Sequence, residues 1–105
     1  MKTSIAIAAL EQWYSSQCNG DWEHQFGLKI ETLDNPGWSV TIDLVETELE
    51  DKPFPELRDN YEDEDDWMRC RRTATAFEGV SGPHRLADIL QVFFEWAGIS
   101  IGGEA

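Results

Sequence analysis

The chain has 105 residues and a net charge of −13, from 21 acidic and 8 basic residues. Its 41% hydrophobic and 11% aromatic content is typical of a folded protein and excludes a disordered acidic chain. The negative charge argues against nucleic acid and anionic lipid as partners and favours a basic protein.

The length fits a single domain over residues 1–105. Two cysteines, Cys18 and Cys70, are too few for a disulfide framework. The apolar run Ile5–Leu10 is too short for a signal peptide, and no stretch reaches the roughly 18 apolar residues of a membrane span. We therefore expect a cytoplasmic protein that does not bind a membrane.

The first elements are a helix and a hairpin. Helical spacing of apolar residues predicts a helix over residues 4–17, which Asn19-Gly20 ends. Alternating side chains predict a strand over residues 21–32, and the alternation resumes at Trp38. Between them, Asp34-Asn35-Pro36-Gly37 has the composition of a tight turn, so the two runs predict a β-hairpin.

The second half of the chain begins with an irregular acidic loop over residues 46–65, interrupted by Pro53 and Pro55. A second hairpin is predicted from strands at 66–73 and 75–80. The last helix is predicted to begin at Gly82-Pro83 and to end at Gly98, leaving a loose tail over 99–105.

These elements predict an α+β fold in two layers. An antiparallel sheet of about four strands, from two hairpins, would carry the N-terminal and C-terminal helices on one face. Trp38 shares an alternating face with Val40 and Ile42, so we expect it in the core. Trp22 begins its strand between Asp21 and Glu23, so we expect it at or near the surface, where a tryptophan serves protein binding.

The sequence offers little for catalysis or metal binding. Its cysteines and histidines lack the short spacings of a zinc site, and no nucleotide-binding or hydrolase motif is present. We expect no enzyme activity, no catalytic residue, no metal and no cofactor. One alternative remains open, a small enzyme or metal-binding protein that uses His24 with Cys18 or Cys70.

Negative charge is concentrated in residues 43–66, which we call the acidic segment. It holds twelve acidic and two basic residues, a net charge of −10 out of −13. We expect it to bind a basic protein surface, with two aromatic residues as apolar contacts; the rival account is a segment held internally by ion pairs with nearby arginines. The predicted partner-binding residues are Asp43, Glu46, Glu48, Glu50, Asp51, Glu62, Asp63, Glu64, Asp65, Asp66, Trp22 and Tyr61.

The sequence resembles the immunity protein 53 family of bacterial polymorphic-toxin systems over about residues 10–97. The most specific matches are Gly20-Asp21-Trp22-Glu23-His24 and Thr32-Leu33-Asp34-Asn35-Pro36-Gly37-Trp38. Further matches are Trp13-Tyr14, Gln17-Cys18-Asn19, Gly27, Ile30-Glu31, Trp67, Cys70, Phe77-Glu78-Gly79, Gly82-Pro83, Leu86, Ile89-Leu90, Phe93 and Trp96.

The resemblance implies an immunity protein, which binds a cognate bacterial toxin and stops the producing cell from killing itself. Many such toxins are nucleases with basic clefts, and an acidic partner fits such a cleft. The alternative binding function is an acidic DNA mimic that inhibits a DNA-binding protein. A DNA mimic would spread its acids over the whole surface, whereas this chain concentrates them in one segment.

Overall fold

The structure, a computed structural model, describes residues 3–60, 62–63 and 65–99 and has an α+β fold. Its five strands form one antiparallel sheet in the order β1-β2-β5-β4-β3. The predicted fold class is confirmed, with five strands in place of about four. The elements are α1 (Thr3–Gln17), α2 (Trp22–Gln25), β1 (Leu28–Leu33), β2 (Gly37–Asp43), β3 (Leu57–Asp59), β4 (Met68–Arg72), β5 (Ala76–Ser81) and α3 (Leu86–Ala97).

The first hairpin is confirmed as β1 and β2. Ile30 lies opposite Val40 and Thr32 opposite Trp38, so the alternating apolar residues of both strands share one face. The turn at residues 34–36 contains a cis peptide bond before Pro36. The second hairpin is also present, as β4 paired with β5.

The helices cover one face of the sheet. Val40, Gly79 and Cys70 lie side by side across β2, β5 and β4, and all are buried. A Cβ atom at Gly79 would collide with Ile89 of α3, so only glycine lets the helix approach this closely. Phe93 of α3 packs against Trp13 of α1, with ring centroids 5.2 Å apart, which joins both helices over the same core.

The opposite face of the sheet carries charged residues. The strand register places Arg71 beside Glu78 and Arg69 beside Val80 on this face. Arg71 forms an ion pair with Glu78 at 3.0 Å. Lys29 and Glu31 of β1 are exposed on the same side.

The predicted placement of two tryptophans is wrong. Trp22 is 1% exposed and belongs to the short helix α2, while Trp38 is half-buried. The alternation at 22–26 also fits one helical turn, and the Asn19 side-chain oxygen favours that turn by accepting a hydrogen bond from the Trp22 amide at 2.9 Å. The helix places the Trp22 indole against Trp13, with ring centroids 6.3 Å apart.

Three further boundaries differ from the prediction. Strand β3 lies inside the predicted irregular loop and adds a short outer strand beside β4. Helix α3 begins after Arg85, three residues later than predicted, and Gly98 ends it in the left-handed conformation as predicted. In the tail, Ile99 packs against the core, and the rest of the tail lies outside the described residues.

The reversed tryptophan placement gives a stability prediction. Trp22→Ala removes a fully buried aromatic side chain and should lower the free energy of unfolding by about 3–5 kcal/mol. Trp38→Ala removes a half-buried side chain with one hydrogen bond, from its indole to the Pro83 carbonyl at 3.0 Å, and should cost clearly less. Urea denaturation of both variants measures the difference, and a larger loss for Trp38→Ala would contradict this assignment of the core.

Candidate functional site

The acidic segment folds into two turn regions at opposite ends of β4. The first acidic turn, residues 44–52, lies against Arg72 at the end of β4. The second acidic turn, which consists of residues 60, 62–63 and 65–66, comes shortly before Met68 at its beginning. Because β4 has five residues, the two turns are separated by about 13 Å along the strand. The negative charge is therefore displayed in two clusters.

Arg72 attaches the first acidic turn to the sheet through backbone oxygens. Its guanidinium donates to the carbonyls of Lys52 at 2.6 Å, Glu50 at 2.8 Å and Leu49 at 3.2 Å. It also donates to the carbonyls of Thr73 and Ala74, the two residues that follow it in the chain. The sequence predicts that Arg72 is exposed or pairs with the acidic loop, and it does contact that loop, through the carbonyl oxygens of its backbone.

Three indole N–H groups also donate to the acidic segment. The Trp22 indole donates to the Val45 carbonyl at 2.9 Å, and the Trp96 indole donates to the Pro53 carbonyl at 2.8 Å. The Trp13 indole donates to the Glu48 carboxylate at 2.9 Å. The aromatic core and the acidic segment are therefore joined by directed hydrogen bonds as well as by packing.

Glu48 has a structural role within the first acidic turn. Burial by itself would raise the pKa of this carboxyl group. Hydrogen bonds from its own backbone amide, from the Trp13 indole and from the Gln17 amide outweigh that effect, so the pKa is lowered. The carboxylate is therefore charged at neutral pH and fixes the first acidic turn against the end of α1.

Arg85 attaches the second acidic turn. Its side chain is only 15% exposed and donates to Asp59 at 2.7 Å and to Asp88 at 2.9 Å, with Asp66 at 3.8 Å. Burial by itself would lower the arginine pKa, but the bonds to Asp88 and Asp59 raise it, so the guanidinium remains charged. Sequence reasoning missed this residue, because it lies 19 and 26 positions from Asp66 and Asp59, the acids of the acidic segment that it contacts.

Several predicted toxin-binding residues have internal partners. The Asp43 carboxylate accepts from the Gly27 amide at 2.9 Å, and the Asp63 carboxylate accepts from the amides of Asp65 and Asp66. Trp22 is in the core, so it reaches a partner only if the fold opens. Tyr61 and Glu64 lie outside the described residues.

The remaining predicted acids within the described residues are exposed. In the first acidic turn, Glu46 has a left-handed backbone with φ of 63°, and its amide donates to the Glu50 carboxylate at 3.2 Å. Aspartate side chains in both turns are solvent-exposed and available to a partner. These remaining exposed acids are Glu46, Glu50, Asp51, Glu62 and Asp65.

The residues of the alternative catalytic or metal site have different environments. His24 is exposed on α2, whereas Cys70 is fully buried in the sheet, and burial raises the pKa of its thiol to about 12. Glu23, next to His24, accepts from the backbone amides of Asn19 and Gly20 and so stabilises the turn before α2. Among the described residues, no three His, Cys, Asp or Glu side chains are grouped to hold a metal ion.

A profile of the family described as immunity protein 53 matches residues 7–98, nearly the whole chain. The chain belongs to the immunity protein 53 family. Comparisons with curated proteins and with solved structures find no match. The matched residues include both acidic turns. No helix within the described residues is both long enough and apolar enough to cross a bilayer.

The lowered pKa of Glu48 gives a pH-dependent prediction for this member of the immunity protein 53 family. A carboxyl group whose pKa is lower in the folded state stabilises the fold above its unfolded pKa, and this contribution is lost as the pH falls through the folded pKa. At pH 7, Glu48→Gln should therefore cost about 0.5–1 kcal/mol, since the carboxylate is largely exposed and screened. The difference from wild type should disappear near pH 3 in chemical denaturation, and a constant difference from pH 3 to 7 would refute this account.

The two cysteines should differ in reactivity. Cys70 is buried with a raised pKa, so a thiol reagent at pH 7.5 should leave it unmodified until the protein unfolds. Cys18 is partly exposed and should account for the labelling of the native protein. Mass spectrometry of wild type and Cys18→Ser measures this, and rapid native labelling of Cys18→Ser would reopen the case for a reactive Cys70.

Proposed function

We propose that this chain binds and neutralises a cognate bacterial toxin, and that its two acidic turns supply the electrostatic contact. Membership of the immunity protein 53 family supports a toxin as the partner of this chain and inhibition of that toxin as its role. The observation that carries the finer proposal is the set of exposed carboxylates on turns that the body of the protein holds in place.

A nuclease domain is the partner that fits this surface. Nucleases bind an anionic substrate and therefore present basic surfaces, which attract a protein with a net charge of −13. Opposite charge accelerates association and excludes partners of like charge. We accordingly propose that the chain acts in the cytoplasm of the cell that must be protected from the toxin.

The acidic segment is better suited to binding a toxin because the body of the protein holds it in place. A flexible acidic loop would lose conformational entropy on complex formation, whereas a pre-ordered surface avoids much of that cost. Arg72 fixes the backbone of the first acidic turn, and Arg85 fixes the second through Asp59 and Asp66. The surface presented to a toxin is then ordered before the encounter.

In the rival account, ion pairs within the protein neutralise the charge of the acidic segment. This account explains only part of that charge. Glu56 pairs with Arg58 at 2.8 Å and lies 3.6 Å from Arg69, and the pKa of Glu56 is lowered chiefly by the bond from Arg58. Asp59 pairs with Arg85. The exposed acids Glu46, Glu50, Asp51, Glu62 and Asp65 belong to neither group, and they are the residues that we propose for the toxin contact.

Neutralising those five acids tests the proposal. The variant should fold like wild type, because the attachments made by Arg72 and Arg85 are unchanged. Its association with the cognate toxin domain should slow about tenfold or more at low salt, and the salt dependence of the on-rate should flatten. Stopped-flow or surface plasmon resonance measures both. The substitutions are Glu46→Gln, Glu50→Gln, Asp51→Asn, Glu62→Gln and Asp65→Asn.

A matched control separates local contact from total charge. It removes five negative charges from exposed positions outside the acidic segment and should slow association much less. Equal slowing by both variants would mean that net charge alone acts, and unchanged rates in the first variant would place the contact elsewhere. The control substitutions are Glu11→Gln, Asp21→Asn, Glu31→Gln, Asp34→Asn and Glu95→Gln.

A further inference from the structure

The two edges of the sheet are protected unequally. Edge strand β3 has three residues, all exposed, and follows Pro53 and Pro55, which are features that discourage pairing with another chain. Edge strand β1 has six residues and no proline. Within the described part of the chain, β1 has a strand neighbour on the β2 side alone.

The hydrogen-bonding pattern shows which backbone groups of β1 face outward. The Asp43 amide donates to the Gly27 carbonyl at 2.9 Å, which makes this pair a hydrogen-bonded position of the β1–β2 ladder. In an antiparallel ladder such positions alternate, so residues 29, 31 and 33 bond to β2. The backbone N–H and C=O groups of Leu28, Ile30 and Thr32 are therefore directed to the outer edge.

We propose that β1 pairs with β1 of a second copy of this chain, antiparallel and about a twofold axis at Ile30. In this register Ile30 lies opposite the partner's Ile30, and Leu28 lies opposite the partner's Thr32. These are the residues whose backbone groups face outward, so they can form hydrogen-bonded pairs across the axis. Such a contact is isologous and closes on itself as a dimer.

The charges on β1 favour this register, and they favour a second copy of the chain as the partner strand. With Ile30 on the axis, Lys29 lies opposite the partner's Glu31, and Glu31 lies opposite the partner's Lys29. Both side chains are exposed on the open face of the sheet, away from the helices. Opposite charges at directly paired positions stabilise strand pairing, whereas like charges there oppose it. A second copy thus places an opposite charge across from each of these two residues.

An apolar groove lies beside the same edge. It has a volume of about 310 Å³ and is lined by Leu10, Glu11, Tyr14, Gly27 and Leu28. On α1, Ile7 and Tyr14 are 40% and 39% exposed. A strand added to β1 would extend the sheet under this part of α1 and bury apolar surface that the single chain leaves exposed.

The dimer should respond to salt in the opposite sense to toxin binding. Two chains with a net charge of −13 each repel one another, and salt screens that repulsion. Dimerisation should therefore strengthen from 20 mM to 500 mM NaCl, values chosen to span Debye lengths of about 20 to 4 Å. The inference is independent of the proposed function, and sedimentation of the purified chain tests it without a toxin.

Charge exchange at the two paired positions tests the register. Lys29→Glu places like charges opposite each other twice and should weaken dimerisation about tenfold, as should Glu31→Lys. The double variant Lys29→Glu with Glu31→Lys restores both opposite-charge pairs and should restore the dimer. Sedimentation velocity at several protein concentrations measures each dissociation constant, and the exposed positions leave the core unchanged.

A backbone variant completes the test. Thr32→Pro removes an outward-facing N–H group, which β2 does not use, and should reduce dimerisation while native circular dichroism is retained. A chain that stays monomeric at high concentration in 500 mM NaCl overturns the proposal. A dimer that both Lys29→Glu and Thr32→Pro leave unchanged also overturns it, because its interface then lies elsewhere.

Discussion

Repulsion among like charges is the constraint on which the rest of this structure depends. Twelve carboxylates within residues 43–66 would drive that segment away from the body unless specific contacts held it. Arg72 provides one such contact at the end of β4, and Arg85 provides the other beside its beginning. Each arginine is placed by an element of the sheet or by the entry to α3, so the acidic surface depends on the whole fold.

The core and the acidic surface are stabilised together. Trp13 packs against Phe93 and Trp22 inside the core, and its indole donates to Glu48 at the surface. Trp96 similarly contacts Phe54 and Phe77 and donates to the Pro53 carbonyl. Tryptophan side chains combine a large apolar surface with one polar N–H group, which suits them to a position between the core and the acidic surface. Loss of the core packing would therefore also release the acidic segment.

The sequence predicted features that depend on local patterns. Alternation and the turn before Gly37 identified the β1–β2 hairpin, and Gly98 marked the end of α3. The prediction from sequence was wrong around Trp22, because the alternation there fits a strand and a helical turn equally. It also missed contacts between distant residues: β3 forms only because β4 is available beside it, and the role of Arg85 depends on three carboxylates that the fold assembles.

The attachment of the first acidic turn uses main-chain oxygens almost throughout. Arg72 and Trp22 donate to carbonyl groups of the turn, Trp96 donates to the carbonyl of Pro53 directly after it, and every residue type carries a carbonyl group. Side chains such as Glu46 and Asp51 can therefore be exchanged without removing these bonds. The backbone conformation of the turn therefore does not depend on which side chains the turn displays to solvent. Selection can then change the side chains that the turn displays while the same scaffold continues to fold.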